Sequence, residues 1–590
     1  MTATAEKSGP AEPDDGPRAG LATTSDGAPV PTAWQRARHR IERSTGTGWA
    51  ASLGITFLAF LLRLWHLSTP KVFEFDETYY AKDAWSLLHY GYARAWLDNA
   101  DASVLAGHVT AKLGTGPEMI VHPDVGKWII AIGIKLFGMN TFGWRISSVV
   151  VGSLLVLLTI RFVRRVSGSM LLGLVGGILV TFDGLAFVLS RLALLDLYVA
   201  FFLLLAVHLM VVDRDWCRRR FARLTPTQLD GRAWGPIGRM LFRPWLLASG
   251  VAWGLAIGSK WEAAYALAAF GVLYVAWSGG MRRSFGVRLA VLKSILADGL
   301  SAFVHLVVVA VMVYVATWIP WMAHAHVYEQ SLSSTQYTRY TGHGHCDKTS
   351  YVPDDESDRT WPTATEKDAH GLGEVVQSLR SLWYYHHDVY TFHTHFLQCS
   401  THTYASNPAG WLLLNRPVGV AATTGIKPGE GSDGQICTAT PSVDPDGTGP
   451  AEQGSCLRQV LLLGTPVLWW GGCVALLAAL VLWIGRRDWR FGVAVLGVAS
   501  TWLPWLQYAG RPIFSYYMID ALPFLVLAIC LCLGKLLDGP QQGRRLVGAA
   551  VGGAFVVLVI LNFAWFWPIY TNQLLTRQEW LMRIWFQRWI

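Results

Sequence analysis

Charge is scarce in this sequence. Asp, Glu, Lys and Arg together make up only 15% of its 590 residues, where a soluble protein has about a quarter. No Cys-x-x-Cys pair occurs, so a zinc ribbon or a dithiol redox centre lacks its ligands. No internal repeat is visible, and ionisable residues gather at the ends of apolar blocks rather than in their middles. An inverted-repeat transporter shows the opposite on both counts. The first 31 residues, rich in Ala, Gly, Pro, Ser, Thr and Asp, lack the basic-then-apolar order of a cleaved signal peptide. Such a composition cannot bury a core, and residues 1–45 are expected to be a disordered cytoplasmic segment.

Apolar surface is what the chain has in abundance. Hydrophobic residues reach 52%, with 29 Trp. They come in blocks about 20 residues long, the length of a helix across a hydrocarbon core. Backbone polar groups in lipid must be satisfied within the segment, so the blocks are helices. The expected fold class is an all-α polytopic membrane protein of about eleven spans. They lie near 51–67, 142–163, 169–189, 192–212, 244–258, 261–278, 298–320, 458–484, 491–509, 513–534 and 546–568.

The net charge of +9 does not imply nucleic acid, because of where the cations sit. Arg161, Arg164 and Arg165, Arg214 and Arg218–Arg220, Arg282 and Arg283, Arg486, Arg487 and Arg490, and Arg544 and Arg545 all lie between apolar blocks. With eleven spans and a basic Arg36–Arg43 stretch before the first, every cluster falls on the cytoplasmic side. The expected organisation is then a transmembrane module at 46–320 containing an outer loop at 68–141, a large outer loop at 321–457, further spans at 458–568 and an amphipathic outer tail at 569–590. The Trp and Arg spacing in that tail suggests a helix lying in the membrane interface. Cys346, Cys399, Cys437 and Cys456 fall in the large outer loop, where an oxidising compartment permits disulfides in three full connectivities. Cys437 and Cys456 bracket a Gly/Pro/Asp/Thr-rich loop and are the favoured pair. Cys217, Cys473, Cys530 and Cys532, in or beside spans, read as small apolar residues.

The chemistry begins just after the first apolar block, in FEFDETYYAKDAWSL, Phe73–Leu87. Asp76 and Glu77 are adjacent, so their side chains point in different directions and do different jobs. Asp76 also reads as a helix N-cap. A carboxylate among Phe73, Phe75, Tyr79 and Tyr80 is partly desolvated, which raises its proton affinity and suits a general base. Further along, HPDVGKWII carries His122 and Lys127, NTFGWRISS carries Arg145, SRLALLD carries Arg191 and Asp196, GSKWE carries Lys260, and GRPIFSYYM carries Arg511. Singly, each basic residue reads as an interfacial anchor. Several cations on the outer side, against the usual bias and next to carboxylates, point to an anionic group such as a lipid phosphate. WYYHHDVYTFHTHF holds His386, His393 and His395 among aromatics that suit sugar stacking, without a regular metal-ligand spacing.

In this order, FDETYYAKDAWSL, HPDVGKW, SRLALLD, GSKW, the YHHDVYTFH–HTYASNP–WLLLNRPV series, RPIFSYYM and the terminal WLMRIWFQRWI resemble the actinobacterial protein O-mannosyltransferases of the GT-C superfamily. The resemblance runs from about Phe57 to Ile590. It implies a GT-C fold at the plasma membrane and an inverting transfer of mannose from polyprenyl-phosphate-mannose to Ser or Thr hydroxyls of exported proteins. Asp76 matches the family's base, Glu77 its support, and Arg145 its donor-phosphate arginine. His122, Lys127, Arg191, Lys260 and Arg511 join the phosphate-side candidates; Tyr80, Asp196, His393 and His395 are candidates for the sugar and acceptor. No tightly bound cofactor or metal is implied, and stimulation by a divalent cation stays open. Implied partners are the lipid donor, exported polypeptides, membrane lipids and the secretion translocon, with no nucleic acid. Inversion needs one base and one in-line attack, and the phosphate leaving group needs positive charge. The large loop lacks the β-trefoil repeat of eukaryotic members, so acceptor selection falls to the membrane-proximal surface. A sister GT-C transferase acting on a glycolipid or glycan shares the acidic first-loop motif and topology, and is the competing enzyme reading.

Overall fold

The computed structural model describes residues 45–223, 234, 242–333, 361–394, 396–432, 434–440, 454–538 and 541–590. Helices dominate. Among the described residues seven are long and apolar enough to cross a membrane: Gly46–Leu64, Thr141–Ser167, Asp196–Phe221, Ala263–Ser284, Ala290–Thr317, Pro466–Arg486 and Gln542–Tyr570. Three shorter apolar helices, Met170–Thr181, Pro244–Ile257 and Leu522–Leu537, pack among them. Length and composition therefore support a multi-pass membrane protein without returning the expected count of eleven. The expected spans 244–258 and 261–278 are two separate helices, Pro244–Ile257 and Ala263–Ser284.

Local sequence explains the boundaries. Thr45, Asn140, Ser169 and Asp183 each accept a hydrogen bond from the backbone N–H three residues on, the N-cap arrangement. Gly168 ends Thr141–Ser167 in the left-handed region, which its missing Cβ allows. Asp183 also splits the apolar run 169–189, because it starts a separate short helix, Gly184–Leu189. Pro244–Ile257 packs closely on Ala290–Thr317 through Gly250 and Gly254. A Cβ on Gly250 would collide with the His305 carbonyl, and one on Gly254 would lie 2.5 Å from Val313 Cβ. Small residues of this spacing let membrane helices approach backbone to backbone.

Several expectations are corrected. The apolar run opening the expected span 458–484 is instead a fully buried strand, Cys456–Leu462, and the helix begins at Pro466. A short apolar run fits either state, and burial against Val418–Ile426 decides for strand. Residues 513–520 likewise form a loop and a 3-10 turn, Ser515–Asp520, before Leu522–Leu537. The all-α expectation omits three small antiparallel sheets. The largest has the order Val418–Ile426, Cys456–Leu462, Leu575–Thr576. The tail is not one interfacial helix. A capping box at Thr576 and Glu579 starts a five-residue helix, Arg577–Leu581, and a 3-10 turn, Gln587–Trp589, follows. Trp580 and Trp589 are buried, donating to Gln459 Oε1 and the Leu414 carbonyl, so these two pack on the protein itself, while Trp585 and Phe586 stay exposed.

At one end of the bundle a buried ionic layer ties four helical segments together. Arg243 pairs with Asp213 at 2.8 Å and with Asp298 at 3.5 Å, and Arg282 pairs with Asp298 at 2.7 Å. The candidate site lies toward the other end, 17 residues up Asp196–Phe221 from Asp213, about 26 Å along the axis. There the segment before Glu77–Tyr90, the helix Val125–Phe137 and the turn 258–262 meet.

A disulfide joins Cys437 to Cys456, and Cys456 pairs in register with Ile426. Cys346 lies outside the described residues, as does the side chain of Cys399. Closing a loop of 19 residues is worth about 3 kcal/mol. Cys437→Ser is expected to lower stability by about that amount, read by thermal unfolding in detergent with and without reductant; a reductant-insensitive wild type would contradict it.

Candidate active site

Glu77 and Arg145 form the frame. Glu77 is fully buried, and its carboxylate accepts from Arg145 Nε at 2.9 Å and Nη2 at 2.7 Å, from Glu74 N at 3.0 Å and from Ala193 N at 2.9 Å. The other Arg145 donors reach the carbonyls of Leu67, Pro70 and Val72. All five guanidinium N–H groups are thus committed. This pair pins the 67–77 loop to Thr141–Ser167 and to the 190–195 turn. Phe73 stacks on Trp144 at 4.4 Å in the same joint. Arg191 is held similarly, donating to the carbonyls of Arg63, Trp65 and His66 at the C-terminal end of Gly46–Leu64, where a cation suits the helix dipole.

Asp76 differs from its neighbour. It occupies the N-cap position of Glu77–Tyr90, yet its side chain makes no capping hydrogen bond. Tyr80 Oη, at 3.4 Å from Oδ2, is its nearest side-chain donor, a long contact. The preceding Phe75 adopts φ +53°, a left-handed conformation uncommon for a bulky residue. This turn places the half-buried carboxylate beside an aromatic wall: the Phe75 ring lies 5.3 Å from Phe514, 5.7 Å from His402 and 5.8 Å from Tyr516. Burial raises the Asp76 pKa to about 6, Lys260 opposes the rise, and Asp196 adds to it.

Lys260 is the cation in reach of Asp76. Its Nζ lies 2.9 Å from Asp196 and 3.4 Å from Glu262, and 4.3 Å above the Tyr517 ring. Burial works against the ammonium, but Asp196 and Glu262 outweigh it and hold its pKa well above the ordinary value. Asp520 completes the group. Burial pushes its pKa well up, with Glu262 and Asp196 adding, and its Oδ1 has no hydrogen-bond partner. Asp76, Asp196, Glu262 and Asp520 each stand at or just before the N-terminus of a helix. Four positive helix ends converge here, each matched by a carboxylate.

The HPDVGKW stretch closes one side. Val125 N donates to the Gly258 carbonyl at 3.1 Å, and a Cβ on Gly126 would lie 2.6 Å from Leu195, so this turn fits tightly against both neighbours. Lys127 is buried and bound to Asp83 at 3.1 Å and Asp124 at 3.2 Å. His122 stacks on His393 at 5.4 Å and lies 6.3 Å from Tyr80. Burial lowers both imidazole pKa values, that of His393 to about 4, and Lys260 and Arg511 add to the effect. Both are neutral near pH 7 and can offer hydrogen bonds without charge. Arg511 is unlike Arg145, Lys127 and Lys260, which pair with carboxylates, and unlike Arg191, which donates to three carbonyls: among the described residues no carboxylate pairs with it, and its buried Nε has no partner. His395 lies outside the described residues. Among those described, no group of three or more His, Cys, Asp or Glu is arranged to hold a metal ion.

The structure thus gathers Asp76, Tyr80, Asp196, Lys260, His122 and His393, with Arg511 within electrostatic reach of the histidines, and sets Glu77, Arg145 and Arg191 behind them. Sequence reasoning passed over Glu262, Asp520, Tyr517 and the His402–Phe514 wall. The signal for the two acids was present, since both directly precede apolar blocks, where an acid favours a helix start.

The chain is that of a membrane glycosyltransferase. Its fold is similar to that in the structure of the S. cerevisiae protein O-mannosyltransferase Pmt1-Pmt2 complex bound to the sugar donor, with a TM-score of 0.61 at 14% identity, covering 94% of both chains. The family described as dolichyl-phosphate-mannose-protein mannosyltransferase matches residues 54–329, and its C-terminal four-transmembrane region matches 378–589. The chain is 33% identical over 554 residues to a polyprenol-phosphate-mannose–protein mannosyltransferase of Mycolicibacterium smegmatis, covering 92% of this chain and 93% of that one. It is 28% identical to the Corynebacterium glutamicum protein of the same name, covering 87% and 88%. The chain belongs to the protein mannosyltransferase family.

Removing one member of a buried ion pair strands the other charge, which costs about 3–5 kcal/mol. Glu77→Ala and Arg145→Ala are each expected to lose that much stability. The double variant should lose clearly less than the two together, measured by thermal unfolding in nanodiscs; additive losses would refute the pair's role as a joint.

Proposed function

We propose that this chain transfers mannose from polyprenyl-phosphate-mannose to Ser or Thr hydroxyls of exported polypeptides, with inversion, at the extracytoplasmic face of the plasma membrane, its N-terminus being cytoplasmic. The observation that carries the reading is the contrast within one dipeptide: Glu77 is saturated with hydrogen bonds, while Asp76 keeps its carboxylate uncapped beside Lys260. The names of the relatives support the donor and the acceptor class.

In this reading the acceptor hydroxyl oxygen attacks the anomeric carbon as the bond to the phosphate oxygen breaks. Asp76 takes the hydroxyl proton, and the polyprenyl phosphate leaves with the bonding pair. Arg511, whose Nε is unpartnered, and Lys260 stabilise the charge developing on the phosphate. Neutral His122 and His393 with Tyr80 and Asp196 line the sugar. Glu77, Arg145, Arg191 and Lys127, all held by internal partners, position this machinery. No cofactor enters the step. Membrane lipids and the secretion translocon are the proposed surroundings in which acceptors arrive unfolded.

The test uses membranes carrying wild type or Asp76→Asn, radiolabelled polyprenyl-phosphate-mannose and a Ser/Thr-containing peptide. Wild type should label the peptide, and Asp76→Asn should lose at least about 100-fold of that rate at equal expression, the scale of a general base. Label appearing in a glycolipid instead would favour the sister transferase. The base acts deprotonated, so peptide labelling should rise with pH through about 6 and level above it. A rate independent of pH from 5 to 8 would count against Asp76 as the base.

A further inference from the structure

The three-stranded sheet has two unlike edges. One is Leu575–Thr576, only two residues long, a length that discourages pairing with another chain. The other is Val418–Ile426, nine residues, with Cys456–Leu462 on its inner side and no strand on its outer side among the described residues. Its sequence, VGVAATTGI, contains no charge and no proline, two usual guards of an open edge; its register with Cys456–Leu462 shifts between Gly419 and Ala421 and between Thr423 and Ile426, which leaves Ala421–Thr423 as the regular stretch. Ala422, Thr423, Thr424 and Gly425 are exposed. A row of backbone N–H and C=O groups facing outward is complementary to one kind of ligand, another extended polypeptide backbone.

This edge leads to Asp76. Arg416, two residues before the strand, accepts a hydrogen bond on its carbonyl from Ser515 Oγ at 3.0 Å, beside the Phe514–Tyr516 wall. Tyr404 lies over Gly419, whose Cβ, if present, would be 2.6 Å from the phenol oxygen. The Tyr404 ring is 6.1 Å from His402, which is 5.7 Å from Phe75 and 4.9 Å from Phe514. Phe75 immediately precedes Asp76. An unbroken track of rings therefore joins the Val418 end of the strand to the carboxylate. The far end is fixed, because Ile426 pairs with Cys456, which is disulfide-bonded to Cys437.

We propose that Val418–Ile426 binds the acceptor polypeptide as an added β-strand, feeding a hydroxyl a few residues away along the His402–Phe75 track to Asp76. This rests on the reading that the acceptor is a polypeptide. An extended chain advances about 3.3 Å per residue, so three ring widths put the docked segment roughly five residues from the modified hydroxyl. Recognition of main chain rather than side chains admits many sequences. It excludes folded acceptors, whose backbone groups are already paired, and proline at docked positions whose N–H points to the strand.

The experiment uses the full-length enzyme in nanodiscs, polyprenyl-phosphate-mannose and peptides with a single Ser. One backbone N–H at a time is replaced by N-methyl, at increasing distance from the Ser. Strand addition predicts a KM increase of about tenfold at every second position within the docked stretch, with kcat unchanged and intervening positions silent. Effects confined to the neighbours of the Ser, or spread without alternation, would overturn the proposal. Separately, Asp76→Asn carrying a photo-crosslinking residue at Thr423 should capture the unmethylated peptide and fail to capture a methylated one. Capture without transfer by wild type would sink the catalytic reading and leave the docking edge standing. Transfer without capture or alternation would remove the edge and leave the catalytic reading intact.

Discussion

Everything at the candidate site hangs on the bidentate contact between Glu77 and Arg145. Together with the Phe73–Trp144 stack it holds the 67–77 loop, which leaves the first span, against Thr141–Ser167 and the 190–195 turn. The loop's carbonyls have no regular secondary structure to satisfy them, so a buried guanidinium with five directed donors does so. Its charge demands a carboxylate, and Glu77 supplies one whose spare lone pairs in turn satisfy two backbone N–H groups. With that joint closed, the next residue back along the chain has no freedom left. Asp76 must emerge where four helix ends meet.

The convergence has an electrostatic logic. Positive helix termini and Lys260 attract carboxylates, yet burial, with neighbouring carboxylates adding, raises the proton affinity of Asp76, Glu262 and Asp520. Lys260 relieves part of the strain by sitting between Asp196 and Glu262. Asp76 and Asp520 are the two of these acids that Lys260 acts on without forming an ion pair. A group of this kind is expensive in a folded protein and is usually there for chemistry.

How much of this was legible in the sequence depends on the range of the interaction. Apolar block length gave the membrane helices, and adjacent acids after the first block gave the dipeptide that matters. The partners of those acids were not legible, since Glu77 meets Arg145 across 68 residues and Lys260 meets Asp196 across 64. Outward-lying cations looked like a phosphate cradle because sequence shows charge without showing its mate. In the fold, Arg145, Arg191 and Lys127 are internal struts, while Arg511 has no carboxylate partner among the described residues. Hydropathy misread Cys456–Leu462 for a related reason, since a short apolar run carries no mark of whether it will be buried as strand or helix.

The short helix beside the site has a further consequence. Pro244–Ile257 has 14 residues and rises about 21 Å, whereas its neighbour Asp196–Phe221 rises about 39 Å and a hydrocarbon core spans about 30 Å. The turn that follows, with Lys260, is therefore recessed below headgroup level, or the bilayer dimples to meet it. In both cases the candidate site lies at a depth set by lipid thickness as well as by protein. Bilayer composition then becomes a determinant of catalytic geometry, and the same polypeptide placed in a thicker membrane presents its lysine to a different layer of the lipid.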